Sequence, residues 1–152
     1  VLMKVRGSVL TPVDFGTIRT KAGEDMATRL SVLHGGLSKL IRTASPDVVA
    51  VEQLFFNTNV TTALAVGQAR GVILLAVAQG GIPLVEYTPL QVKQTITGNG
   101  RATKQQVGFM VKAVLKLDKV PKPDDVSDAL AIAICHAHLG TTLNRLAQYA
   151  GR

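Results

Sequence analysis

The sequence predicts an α/β fold: one domain with a mixed sheet flanked by helices. Three observations predict it. A hairpin pattern opens the chain, with strand-like runs on either side of Arg6-Gly7-Ser8. Two short apolar runs, at 47–51 and 82–87, have the length and composition of core strands. The longer intervals between and after those runs carry helical periodicity or helix-capping residues.

Taken in order, residues 1–5 are strand-like, and residues 9–18 run back rich in β-branched side chains. Met26, Leu30, Leu33, Leu37, Leu40 and Ile41 recur at helical spacing, predicting a helix over about 24–43 that Ser45-Pro46 ends. The run 47–51, bounded by a turn, predicts a strand buried on both faces. A polar and aromatic segment, 52–59, separates it from a long helix over about 60–79, stopped by Gly80-Gly81. After the second core strand, Thr88-Pro89 supplies an N-cap and a proline at the first helical position, opening a helix to about 97. Thr103 and Gln106 form a capping box for a helix to about 117. Pro121 and Pro123 interrupt the chain, and Asp124 can cap a last helix over about 125–139.

Composition narrows the function classes. The 152 residues are 47% hydrophobic, enough for a real core and too many for a disordered chain. The longest apolar run, 72–78, falls far short of the roughly 20 residues that span a bilayer. The opening Val1-Leu2-Met3-Lys4 lacks the layout of a secretion signal, and the lone Cys135 cannot form an intramolecular disulfide. Both point to a reducing, cytoplasmic home. Cys135 sits within an apolar run and reads as a small buried hydrophobe. Lys and Arg number 17 against 10 Asp and Glu, a net charge of +7 with a pI near 9.9, which suits a polyanion such as nucleic acid. Seven of the cations, from Lys93 to Lys122, fall within thirty residues.

Three acids stand out. Glu52 follows the first core strand, and the C-terminal ends of strands in open α/β sheets are where active groups gather. Position alone leaves it either such a group or a solvated acid where the chain surfaces. Asp125 and Asp128, at i and i+3 on one helix, share a face with Cβ atoms roughly 5–6 Å apart. At that distance like charges repel by about 3 kcal/mol at an effective dielectric near 20, a penalty that a cation removes. The helix N-terminus accounts for Asp124 or Asp125 but poorly for Asp128. A paired-acid site for a Mg2+-type cation is the better reading.

Five separated motifs then carry a resemblance. Val49-Ala50-Val51-Glu52-Gln53-Leu54-Phe55, Gly67-Gln68-Ala69-Arg70-Gly71-Val72, Gln91-Val92-Lys93-Gln94, Gly98-Asn99-Gly100-Arg101-Ala102-Thr103-Lys104 and Asp125-Val126-Ser127-Asp128-Ala129-Leu130-Ala131-Ile132-Ala133 with His136 follow one another as in the RuvC family of Holliday-junction resolvases. The likeness covers about 18–138. It implies a ribonuclease H-like mixed sheet flanked by helices, and Mg2+-dependent symmetric nicking of four-way DNA junctions in recombination and repair. Glu52, Asp125 and Asp128 would be catalytic carboxylates holding two Mg2+ ions about 3.5–4 Å apart, with Mn2+ able to substitute.

The resemblance further implies that Lys93, Arg101 and Lys104 meet DNA, that Lys104 also helps neutralise the transition state, and that Phe55 stacks on a junction base. Phe56 is as readily core. The family's first strand, Gly-Ile-Asp-Pro-Gly with an essential Asp, has no counterpart here, and Val1 matches the middle of the family's second strand. The domain is therefore read as 1–152, incomplete at its N-terminus. Implied partners are a second copy of the chain, since two symmetric nicks need a two-fold dimer, and the branch-migration complex of RuvA and RuvB. The small-faced 60–79 helix fits either a dimer contact or a buried core helix. His136 and His138 lack further ligands for a zinc site. Two rivals remain: a junction-binding module without a complete acidic site, and a ribonuclease H acting on hybrids. The 98–104 loop motif favours the resolvase over the second.

Overall fold

The computed structural model describes residues 1–53 and 60–150, with side chains described for all of these except 60–62 and 141–150. The chain divides into two compact units. The first comprises Val1–Thr17, Ala50–Gln53 and Glu86–Arg152; the second comprises Ile18–Val49 and Leu54–Val85. The chain passes back and forth between them, so they are interleaved rather than consecutive.

The first unit opens with the expected hairpin. Strands β1 (Leu2–Arg6) and β2 (Val9–Asp14) pair antiparallel, with Arg6 opposite Val9 and a bulge between Leu2 and Met3. Gly7 takes φ +60° at the turn, a conformation that costs glycine nothing. Strand β2 stops at Asp14 rather than continuing to Ile18, because Gly16 gives a strand nothing to pack.

Residues 47–51 become β3 (Val49–Glu52), and residues 82–87 become β4 (Leu84–Tyr87). The two pair with each other: Val49 N–H donates to the Pro83 carbonyl, and Gln53 N–H donates to the Tyr87 carbonyl at 2.8 Å. Both partners advance by four residues together, so the pair is parallel. Among the described residues the antiparallel and parallel ladders are separate two-stranded sheets rather than parts of one mixed sheet. The expectation that β3 is buried on both faces is corrected: all four of its residues are only half-buried, and among the described residues β4 is its one ladder neighbour.

Three helices complete the first unit: α3 (Pro89–Thr97), α4 (Lys104–Val114) and α5 (Asp124–Ala150). Thr88 and Thr103 each close a full capping box, with Gln91 and Gln106 respectively. The three helices pack on one another around Val111, Leu130, Ile134 and Cys135, all fully buried. The apolar run after Asp128 is thus a core face, and Cys135 is the small buried hydrophobe expected of it. Helix α5 begins at Asp124, which lies in the first turn rather than capping it, and it runs well past residue 139. A lone Gly140 costs a helix only about 1 kcal/mol against Ala and does not break it.

In the second unit, α1 (Met26–Ala44) packs on α2 (Val60–Gln79). Asp25 caps α1 by accepting from Thr28 N–H at 3.0 Å, and Ser45 ends it in the left-handed region. Ile41, Ala76 and Val77 form the core, with Leu37, Val49, Ile82 and Leu84 against it. The approach is close where α2 ends: a Cβ on Gly80 would lie 2.7 Å from a methyl group of Ile41.

Core packing of α5 gives the first prediction. Leu130→Ala should lower unfolding free energy by about 2–5 kcal/mol in urea denaturation. A loss below about 1 kcal/mol would place Leu130 outside a packed core.

Candidate active site

Glu52 is the last residue of β3, and the Gln53–Tyr87 hydrogen bond fixes the strand end immediately after it. Asp128 lies about one turn into α5, between exposed Asp125 and the buried Leu130 and Ala131. Lys104 opens α4 directly behind its capping box, and Lys93 projects from α3. These four side chains converge on one cleft of about 210 Å³, lined also by Pro89, Val92, Val107, Ala131 and Ile132. Every lining residue belongs to the first unit.

The floor of the cleft is apolar, since Val92, Val107, Ala131 and Ile132 are all buried. Its effect on Glu52 is direct. Burial pushes the Glu52 carboxyl above its usual range, the like charge of Asp128 pushes it further, and Lys104 and Lys93 pull it back. Lys104 Nζ lies 3.6 Å from Asp128 Oδ2, with 71% of the lysine side chain and 37% of the aspartate exposed. So exposed a pair is worth about 1 kcal/mol or less, and an incoming phosphate can take the place of Asp128 beside Lys104. The cleft thus holds two carboxylates competing for two ammonium groups.

The loop that delivers Lys104 is tied down residue by residue. Gly98 ends α3 at φ +73°, and Gln94 spans the turn, its Nε2 donating to the Gly98 carbonyl and its Oε1 accepting from Gly100 N–H, both at 2.9 Å. A Cβ on Gly100 would meet a methyl group of Leu90 at 2.5 Å, so a larger residue there would turn that exposed side chain aside. Asn99 Oδ1 accepts from Arg101 N–H, and Thr97 Oγ1 accepts from Asn99 N–H.

The other sequence-predicted residues are placed as follows. Asp125 is exposed and is not part of the cleft lining. Among the described residues no three His, Cys, Asp or Glu side chains gather closely enough to hold a metal ion. Arg101 is exposed on the loop and also outside the cleft lining. Phe55 and Phe56 lie outside the described residues. Asp124 is engaged by Lys122, whose hydrogen bond and charge hold its carboxyl below the usual range. His136 is part-buried, its Nδ1 2.8 Å from the Tyr87 hydroxyl.

Sequence reasoning had not paired Lys104 with Asp128. The signal was the capping box, which sets Lys104 at the first position of α4. As donors, Glu52 and Asp128 fit a hard divalent cation, since both offer carboxylate oxygen. No described helix is long and apolar enough to cross a membrane.

The family described as crossover junction endodeoxyribonuclease RuvC matches residues 1–136. The crossover junction endodeoxyribonuclease RuvC of Desulfitobacterium hafniense (strain DSM 10664 / DCB-2) is 56% identical over 145 residues, covering 95% of this chain and 88% of that one. That of Moorella thermoacetica (strain ATCC 39073 / JCM 9320) is 52% identical over 151 residues, covering 99% and 90%. Among solved structures, Thermus thermophilus RuvC superposes with a TM-score of 0.81 at 30% identity, covering 93% of this chain and 85% of that one. The T. thermophilus RuvC in complex with Holliday junction substrate superposes with a TM-score of 0.86 at 33% identity, covering 92% and 86%. With a strand-end glutamate, a helix aspartate and two lysines in one cleft of a ribonuclease H-like α/β fold, and with this likeness along nearly its whole length, the chain belongs to the crossover junction endodeoxyribonuclease RuvC family.

Proposed function

We propose that this chain, residues 1–152 acting as one resolvase domain, is a structure-selective endonuclease. It resolves four-way DNA junctions by symmetric Mg2+-dependent nicking, in the cytoplasm, during homologous recombination and repair. The observation that carries the reading is the cleft joining Glu52 and Asp128 with Lys93 and Lys104 in a chain of this family.

In this reading Glu52 and Asp128 hold the cations, Asp125 completes the acidic set from the turn before, and each site takes two Mg2+ with Mn2+ able to substitute. When bound, the cations supply Lewis-acid stabilisation of charge on the phosphate and on the leaving oxygen. The chain's own groups do the rest. The Lys104 ammonium leaves its weak pairing with Asp128 for the phosphate, and Lys93 meets the same charge from α3. Arg101, exposed on the clamped loop, contacts the DNA backbone, and Phe55 stacks on a base at the opened centre. A homodimer supplies the second nick. Exposed Leu64 and Leu75, which share one face of α2, support an apolar two-fold contact there. The branch-migration complex of RuvA and RuvB is the further partner that the family suggests.

A second reading, a junction-binding module that does not cleave, rests on the place of Asp125 outside the cleft lining. A nicking assay on a synthetic four-way junction with Mg2+ separates the two. The parent should nick symmetrically, and Glu52→Gln and Asp128→Asn should each reduce cleavage to background with junction binding near the parent's. Cleavage by either variant at the parent rate would contradict the assignment; binding without any parent cleavage would favour the module. Asp125→Asn should also abolish cleavage, and full activity in that variant would remove Asp125 from the acidic set.

The lysines are tested by salt. Each neutralised phosphate contributes roughly −0.9 to the log–log slope of affinity against salt. Lys104→Ala should therefore weaken junction binding and flatten that slope by about one contact. An unchanged slope would place Lys104 off the DNA path.

A further inference from the structure

Helix α4 has two working sides. Lys104 and Val107 line the carboxylate cleft. Thr103, Gln106, Phe109 and Met110 line a second, larger cleft of about 620 Å³, together with Thr97 and Asn99 of the clamped loop region. At its rim stands Phe109, 63% exposed and the most exposed aromatic among the described residues. Core packing does not explain that ring, because the buried residues of α4 are Val107, Gly108 and Val111.

The surroundings point to an occupant. Gln105, Phe109 and Lys112 fall at i, i+4 and i+7, one stripe of the helix. Arg101 and Lys104 are exposed at its N-terminal end, Lys116 is exposed just beyond its last turn, and α4 itself carries no acidic residue. An exposed aromatic with Lys112 on its own stripe and further cations at both ends of the helix, beside a cleft rimmed by the amides of Asn99, Gln105 and Gln106, offers a π-face for stacking, polar groups for a base edge and cations for the flanking phosphates.

We infer that the Phe109 cleft is a second nucleic-acid site, which stacks an unpaired base of the strand whose phosphate lies against Lys104. The inference rests on the nuclease reading of the neighbouring cleft. It adds a site on α4 distinct from the role proposed for Phe55.

The test uses the full chain as it assembles, with three probes: a synthetic four-way junction, a linear duplex of one arm, and a single-stranded oligothymidine. Phe109→Ala should weaken binding of the junction and the single strand by roughly 5- to 140-fold, the range given by stacking of one base. Duplex affinity, salt slope and unfolding midpoint should stay at the parent's values. Phe109→Trp should retain binding, and Phe109→Leu, which keeps apolar bulk without a ring, should lose it as Ala does. Single-strand and junction affinities equal to the parent's in Phe109→Ala would overturn the inference. So would an equal loss on duplex, or a change of oligomeric state in sedimentation without loss of single-strand binding. The two readings fail separately: a parent that never cleaves junctions, beside a Phe109→Ala variant that loses the single strand, overturns the resolvase and keeps the base site.

Discussion

Two negative charges that approach one another over an apolar surface repel more strongly than they would in water, and the fold must hold them there against that repulsion. Glu52 and Asp128 are in this position. Neither can retreat. Glu52 ends a strand whose last hydrogen bond, Gln53 to Tyr87, is set by the parallel pairing of β3 and β4. Asp128 is carried by a helix whose next turns, through Leu130 and Ile134, are fully buried. The cost of the pair is therefore met by packing elsewhere in the first unit.

The lysines fit that electrostatic frame. Lys104 and Lys93 both lower the proton affinity of Glu52, yet both remain at least partly exposed. They moderate the repulsion without abolishing it. The loop before Lys104 is the most heavily cross-linked stretch near the site, with Gln94, Thr97 and Asn99 each satisfying backbone groups of 98–101. Its order matters because a mobile ammonium would pair with whichever acid is nearer. The same clamp fixes the start of α4, and so sets both of the clefts on that helix.

Much of this was legible in the sequence, wherever the signal was local. The Thr88-Pro89 start, the Thr103–Gln106 box and the Ser45-Pro46 stop mark the helix ends directly, because capping is chemistry between near neighbours. Asp128 stood out because a helix N-terminus does not explain an acid that deep in the helix. What could not be read was long-range. The pairing of β3 with β4 in its own ladder, the reach of α5 past Gly140 and the half-buried state of β3 depend on contacts that no window of sequence contains. Asp125 shows the same limit. Its i, i+3 spacing from Asp128 is right for a shared face, but which face borders the cleft is settled by how α5 packs on α3 and α4.

The central claim is that Glu52 and Asp128 share one electrostatic site. Burial and Asp128 raise the Glu52 carboxyl, so the native state binds that proton more tightly than the unfolded chain does. The resulting cost to stability is absent below the ordinary carboxylate range and fully present above the raised value. Titrating Glu52 by carboxyl carbon NMR in the parent and in Asp128→Asn measures the coupling itself. The account predicts a parent value above the ordinary glutamate range that falls when Asp128 is neutralised. An ordinary value in the parent, unmoved by Asp128→Asn, would contradict it.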